Sequence, residues 1–142
     1  MIITPKEKLE SIQSLATDID IMSAQIHNLY TEINRPPSSK VTVSYGTTPG
    51  TTADGYTEKT VVKFLKLKKE RMQAIITRHS RIDGIRKIPY ANIRRIVYMR
   101  YVECKAWNDI AAAVFVSVRH AQRLLQQGIE CYAVINAKGE IQ

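Results

Sequence analysis

Cysteine is scarce in this chain. There are two in 142 residues, Cys104 and Cys131, far apart and in no metal-type spacing. That excludes a disulfide framework and a zinc module. In helical register, most of the segment 107–127 separates the two, so no disulfide is expected. Aromatic residues are few, and tyrosine supplies seven of the ten. Long apolar runs are also missing. The longest, Ile110 to Val116, is far short of the roughly 20 residues a spanning helix needs. The opening Met1-Ile2-Ile3-Thr4-Pro5-Lys6 has no apolar core of signal-peptide length. A cytoplasmic location with no membrane partner is therefore expected.

Catalytic signatures are absent as well. His27, His79 and His120 fall on three different predicted helices. There is no glycine-rich phosphate loop, nucleophile elbow or paired-carboxylate signature. Asp18 and Asp20 would point to different sides of one helix. The sequence predicts no enzyme, no metal and no cofactor.

What is present is positive charge, unevenly placed. The formal net charge is +8. Residues 1–55 carry four basic and six acidic side chains, residues 56–88 ten and three, and residues 89–142 seven and four. A basic excess confined to part of a chain suggests a polyanionic partner, although a solvated helix face has the same composition.

The pattern predicts an all-α protein. Helix 1 opens with Thr4 as cap, Pro5 in the first turn and Glu7 completing a capping box. Ile12, Leu15, Ile19, Met22, Ile26, Leu29 and Ile33 then alternate by threes and fours, a heptad seam that wants a partner helix. Residues 36–55 contain three prolines and three glycines with many Ser and Thr, and read as a flexible loop. Helix 2 is expected from about Thr57 to Lys87. Its stripe is Val61, Leu65, Met72, Ile75, His79 and Ile82. Its other face carries Lys59, Lys63, Lys66, Lys68, Lys69, Arg71, Arg78 and Arg81. Helices 1 and 2 form either an antiparallel hairpin within one chain or a homodimeric coiled coil. On this reading residues 1–88 are an interaction or oligomerisation arm, with a homo-oligomer expected. Gly84 weakens helix 2 before a break at Ile88-Pro89.

Residues 89–142 form the second predicted domain. Helix 3 is expected over 89–102, with Tyr90, Ile93, Val97 and Tyr101 on one face. In helix 4, Trp107, Ile110, Ala111 and Val114 fall at i, i+3, i+4 and i+7, one buried face. Ala111 is small where two helices would cross. Val116 is apolar in the turn, and Ser117 can cap helix 5 through the N–H of Arg119 or His120. Ala121, Leu124, Leu125 and Gly128 face inward. Arg119, His120, Gln122, Arg123, Gln126 and Gln127 face outward. The last helix is expected to reach about Ile135, with a frayed tail over 136–142.

This is the layout of a helix-turn-helix, and its outer face suits a DNA major groove. Arginine can fork onto guanine O6 and N7, and glutamine onto adenine N6 and N7. The helix N-terminus also favours a phosphate. Lys105, Arg94 and Arg95 are expected to hold the phosphate backbone. Phe115 is a departure, because glycine is common in such turns.

The stretch 95–111 resembles the start of a sigma-factor region 4 helix-turn-helix. Arg100-Tyr101 ends one helix, and Asp109-Ile110-Ala111 begins the next. Ser117-Val118-Arg119-His120 followed by Arg123-Leu124 continues the likeness. More broadly, the chain is similar to small phage and prophage proteins of Gram-positive bacteria, the RinA/ArpU-type transcriptional regulators. The shared layout is a long helix, a Gly/Ser/Thr-rich loop, a second long helix and a C-terminal sigma-like unit. The resemblance implies a phage-encoded regulator of late or packaging genes, acting on double-stranded DNA in the bacterial cytoplasm, with host RNA polymerase as a further partner. It carries over Arg119, His120 and Arg123 as groove-facing residues and Ser117 as the cap. Cys104 stands where glycine is common, which bears on the turn geometry. Two alternatives fit the same helices: a small-terminase-like DNA-packaging protein, and an RNA polymerase interaction module that does not bind DNA.

Overall fold

The computed structural model describes residues 3–34 and 53–141. Every regular element among them is a helix, so the protein is all-α. The helices are α1 (Pro5–Ile33), α2 (Ala53–Arg86), α3 (Ala91–Tyr101), α4 (Trp107–Val114) and α5 (Val118–Ile141). Most of the loop expected over 36–55 lies outside the described residues. Residues 53–55 belong to α2 instead. No helix among the described residues is long and apolar enough to cross a membrane.

The first capping box forms as its residues dictate. The Thr4 backbone N–H donates to Glu7 Oε2, and the Glu7 N–H donates to Thr4 Oγ1, each at 3.2 Å. Two donors of the open helix end are thus satisfied reciprocally.

The chain clusters into two compact units, 17–75 and the remainder. In unit 17–75, α1 and α2 meet through side chains. Arg71 Nε donates to Ser23 Oγ at 2.7 Å, and the Tyr30 and Phe64 rings lie 6.3 Å apart, tilted by 33°. The Lys68 ammonium sits 5.3 Å from the Phe64 ring centroid. No described side chain of this unit is fully buried. Two helices offer one interface, so each seam residue is covered on one side only.

The other unit comprises Met1–Ala16 and Ile76–Gln142. Leu9 and Ile12 of α1 pack with Ile82 and Ile85 of α2, with Ile88 in the connection that follows, with Ile93 and Val97 of α3, and with Tyr132 of α5. The proline break expected near residue 88 therefore runs through a core, with Ile88 wholly buried inside it. A second cluster joins Ile96, Met99, Ile110, Ala111, Val114 and Ala121. Leu124 and Leu125 pack against both clusters.

Three expectations are corrected by these contacts. On α2, Leu65, Met72 and His79 are exposed rather than part of the buried stripe. Their places toward α1 are taken by Phe64 and Leu67 and by three arginines expected on the outer face. Arg78 Nε donates to the Ile12 carbonyl at 3.3 Å, Arg81 bonds the Ser11 hydroxyl, and Arg71 bonds Ser23. A guanidinium on a long stem can line an interface and still satisfy its donors, which a hydropathy pattern scores as surface. Secondly, α5 does not fray after Ile135 but continues to Ile141. Tyr132 anchors its far half, and the Tyr132 hydroxyl donates to the Arg81 carbonyl at 3.1 Å. Thirdly, α3 starts at Ala91 rather than Pro89, with extended Tyr90 as its N-cap residue.

Gly84, expected to weaken helix 2 before the break, also has a packing role. It is buried, and an added Cβ would lie 2.7 Å from Tyr132 Cε2. The missing side chain makes room for the tyrosine ring. Gly128 does the same at the crossing of α3 and α5, where a Cβ would press on Val97 and Ile93.

Candidate nucleic-acid interface

The α4–α5 pair is set by its turn. Helix α4 ends with Phe115 in the left-handed region, at φ 58°. The Phe115 N–H donates to the Ala112 carbonyl at 3.4 Å, and the Val116 N–H to the Ala111 carbonyl at 3.1 Å. These are the paired bonds of a Schellman motif, whose left-handed position usually holds glycine. Cys104, in the preceding connection, is also left-handed, at φ 56°. No other non-glycine residue among those described has positive φ. Both positions were marked in the sequence by the absence of an expected glycine.

Three residues after α4, α5 begins. The His120 N–H donates to Ser117 Oγ at 3.1 Å, so Ser117 is the cap. The inner face of α5 enters the core through Ala121, wholly buried, with Leu124 and Leu125 half-buried and Gly128 buried. Ala111 and Ala121 belong to the same cluster, so small side chains stand on both helices where α4 and α5 pack.

The opposite face of α5 is open. Arg119, His120, Gln122, Arg123, Gln126 and Gln127 are all exposed. Arg119, Gln122, Arg123, Gln126 and Gln127 follow i, i+3, i+4, i+7 and i+8, one continuous stripe. At 1.5 Å per residue the stripe is about 12 Å long, close to the width of the B-DNA major groove. Among the described residues, neither Arg119 nor Arg123 has an ion-pair partner, so both guanidinium groups are available to a ligand.

The remaining three sequence-derived residues lie elsewhere but together. Arg94, Arg95 and Lys105 line one open cleft with Arg86, Glu103, Tyr98 and Met99. Four of its five charged lining residues are cationic. Arg94 is half-buried, and its Nη1 donates to the Ile88 carbonyl at 2.9 Å. Lys105 pairs with Glu103 at 3.4 Å, and Arg86 with Asp83 at 3.3 Å. Arg95 is exposed and without a partner among the described residues. The structure thus brings the ten sequence-derived residues into two groups, seven at Ser117 and the α5 face and three at this cleft.

Two supporting residues were not singled out as site residues from the sequence. The Arg100 guanidinium lies over the Trp107 ring, 4.9 Å from its centroid, and Arg100 Nη1 donates to the Lys105 carbonyl at 3.2 Å. These contacts clamp the connection between α3 and α4. Arg86 reaches the cleft from the end of α2, and no local signal links it to residues 94–105. Beside Arg100, the Tyr101 hydroxyl is held above the usual tyrosine value. Burial is the main cause and the Glu10 charge adds to it, while Arg100 opposes them. Among the described residues, no three His, Cys, Asp or Glu side chains gather where they could hold a metal ion.

Compared with known proteins, the chain matches no family model, no curated protein and no solved structure.

Proposed function

We propose that the protein is a sequence-specific DNA-binding regulator of transcription, with α4 and α5 as its helix-turn-helix and α5 as the helix that enters the major groove. One observation carries this reading. The outer face of α5 presents two unpaired arginines and three glutamines in a groove-length stripe, with His120 exposed beside it, while its inner face is locked into the core. A helix held so firmly on one side, with fork-forming donors on the other, is suited to reading base edges. Arg119, Arg123 and the glutamines are the proposed base readers, and Arg95 and Lys105 the proposed phosphate contacts. We extend the proposal to late or packaging genes of a phage, as the resemblance drawn from residues 95–125 of the sequence implies.

The test is selection of bound duplexes from a random pool by the full chain, with the mass of the complex measured. Recovery of a shared motif is the expected result. A pool that stays random after repeated rounds, with retention set by salt alone, would refute base readout.

A further inference from the structure

Helix α2 has a second seam. Its first faces α1 and holds Val61, Phe64, Leu67, Arg71 and Ile75, all half-buried. About a third of a turn away around the same helix, Val62, Leu65 and Met72 are 62%, 57% and 54% exposed. With Lys69 between them, these positions are spaced by three, four and three, the spacing of a helix-packing seam. Lys59, Lys63, Lys66 and Lys68 around the seam are exposed too. Residues 58–75 hold six basic side chains against two acidic ones, Glu58 and Glu70.

We propose that this outer seam of α2 is the docking surface for an acidic amphipathic helix of another protein. Charge selects the occupant. A second copy of α2 laid here would set lysine against lysine on the flanks and bury Lys69 near its own counterpart, and like charges so placed destabilise a helix pair. A nucleic acid would answer the lysines but leave Val62, Leu65 and Met72 against a hydrophilic backbone. A helix with leucine or isoleucine on its seam and glutamate beside it answers both. Such a partner would also complete the packing. No described side chain in unit 17–75 is fully buried, and a third helix on the outer seam would cover α2 from its second side.

The inference is independent of what α5 reads, and its test uses the full chain. The probe is a labelled synthetic peptide of about three heptads, with leucine at the seam and glutamate on the flanks. A scrambled peptide of the same composition is the control. Fluorescence anisotropy measures binding at low and high salt, and sedimentation equilibrium measures the mass of the protein alone. The ordered peptide is expected to saturate at one per chain, with affinity falling as salt rises. The double variant Leu65→Asp/Met72→Asp replaces exposed side chains, so the fold persists, and is expected to lose about tenfold or more in affinity. Four results would overturn the proposal: no saturable binding of the ordered peptide; equal binding of the scrambled one; a protein dimer that the double variant dissociates, which assigns the seam to a second copy; or duplex DNA displacing the peptide while the double variant weakens DNA retention, which assigns it to nucleic acid.

Discussion

The guanidinium of Arg100 lies 4.9 Å from the centroid of the Trp107 ring. The same side chain bonds the Lys105 carbonyl, so one residue at the end of α3 holds both the connection and the first turn of α4. Removing it with Arg100→Ala should destabilise the protein by about 1–2 kcal/mol, through one cation–π contact and one hydrogen bond. Trp107 is the only tryptophan, so its fluorescence reports the site directly. Urea unfolding followed at this tryptophan should show a lower midpoint, with a shifted emission in the folded variant. Unchanged emission would mean that the stacking does not persist in solution.

Phe115 makes the opposite prediction. It is 93% exposed and left-handed, so its side chain adds little packing while its backbone is strained. Phe115→Gly should stabilise the chain by about 1 kcal/mol, the relief of left-handed strain less the entropy of glycine. Phe115→Val should destabilise it, because a β-branched residue tolerates this region worst. Thermal melting of the two variants checks the order: glycine above the parent, valine below.

Gly128 tests the crossing of α3 and α5. A Cβ there would fall less than 3.0 Å from both Val97 Cγ2 and Ile93 Cγ2. Gly128→Ala should cost about 1–3 kcal/mol through overpacking. The double variant Gly128→Ala/Val97→Ala should be more stable than the sum of its parts, because the second change removes the obstructing methyl. Strict additivity in chemical denaturation would argue against the close approach.

Tyr132 links stability to alkaline pH. Its side chain is wholly buried, and burial raises its hydroxyl above the ordinary value of 10.0, against the opposing effects of Asn136, Lys8 and Arg81. The folded state therefore holds this proton more tightly than the unfolded chain. The stability it contributes is full below the unfolded value and is lost as pH rises through the folded one. Tyr101 is raised in the same direction. Unfolding free energy should hold to near pH 10 and fall above it. Tyr132→Phe should cost about 1 kcal/mol at neutral pH, by losing the bond to the Arg81 carbonyl, and should flatten the alkaline fall without abolishing it. An unaltered alkaline limb in Tyr132→Phe would contradict this.

If α5 reads DNA as proposed, two arginines should separate base reading from phosphate holding. Arg123→Ala should cost about 1–3 kcal/mol on a selected duplex and relax its sequence preference. Arg95→Ala should weaken selected and random duplexes alike and reduce the slope of log affinity against log salt by about one. Identical behaviour of the two variants on both kinds of duplex would exclude α5 as the reading helix.

How far the sequence foretold these features depends on how local their causes are. The Thr4/Glu7 box, the Ser117 cap and the two faces of α5 depend on neighbours within a few positions, and a linear pattern exposes them. Cys104 and Phe115 were legible for a related reason, since a missing glycine marks the backbone that needs one. The faces of α2 were not. Arg71, Arg78 and Arg81 line the side toward α1, while Leu65 and Met72 stand outside, and only partners about 48 to 70 residues away in sequence reveal it. The full length of α5 was hidden similarly, because Tyr132 is held by Arg81 and by the space beside Gly84. The cleft of Arg86, Arg94, Arg95 and Lys105 draws on α2, α3 and a connection, so no single stretch announces it.

The placement of Tyr132 gives α5 a second point of attachment. The stripe from Arg119 to Gln127 occupies one end of the rod, and the bond to the Arg81 carbonyl grips it further along. A helix of this length bends only gently, so its two ends turn together. The direction in which Arg119 and Arg123 point is therefore fixed twice, by Ala121 in the core beneath the stripe and by Tyr132 at the end of α2.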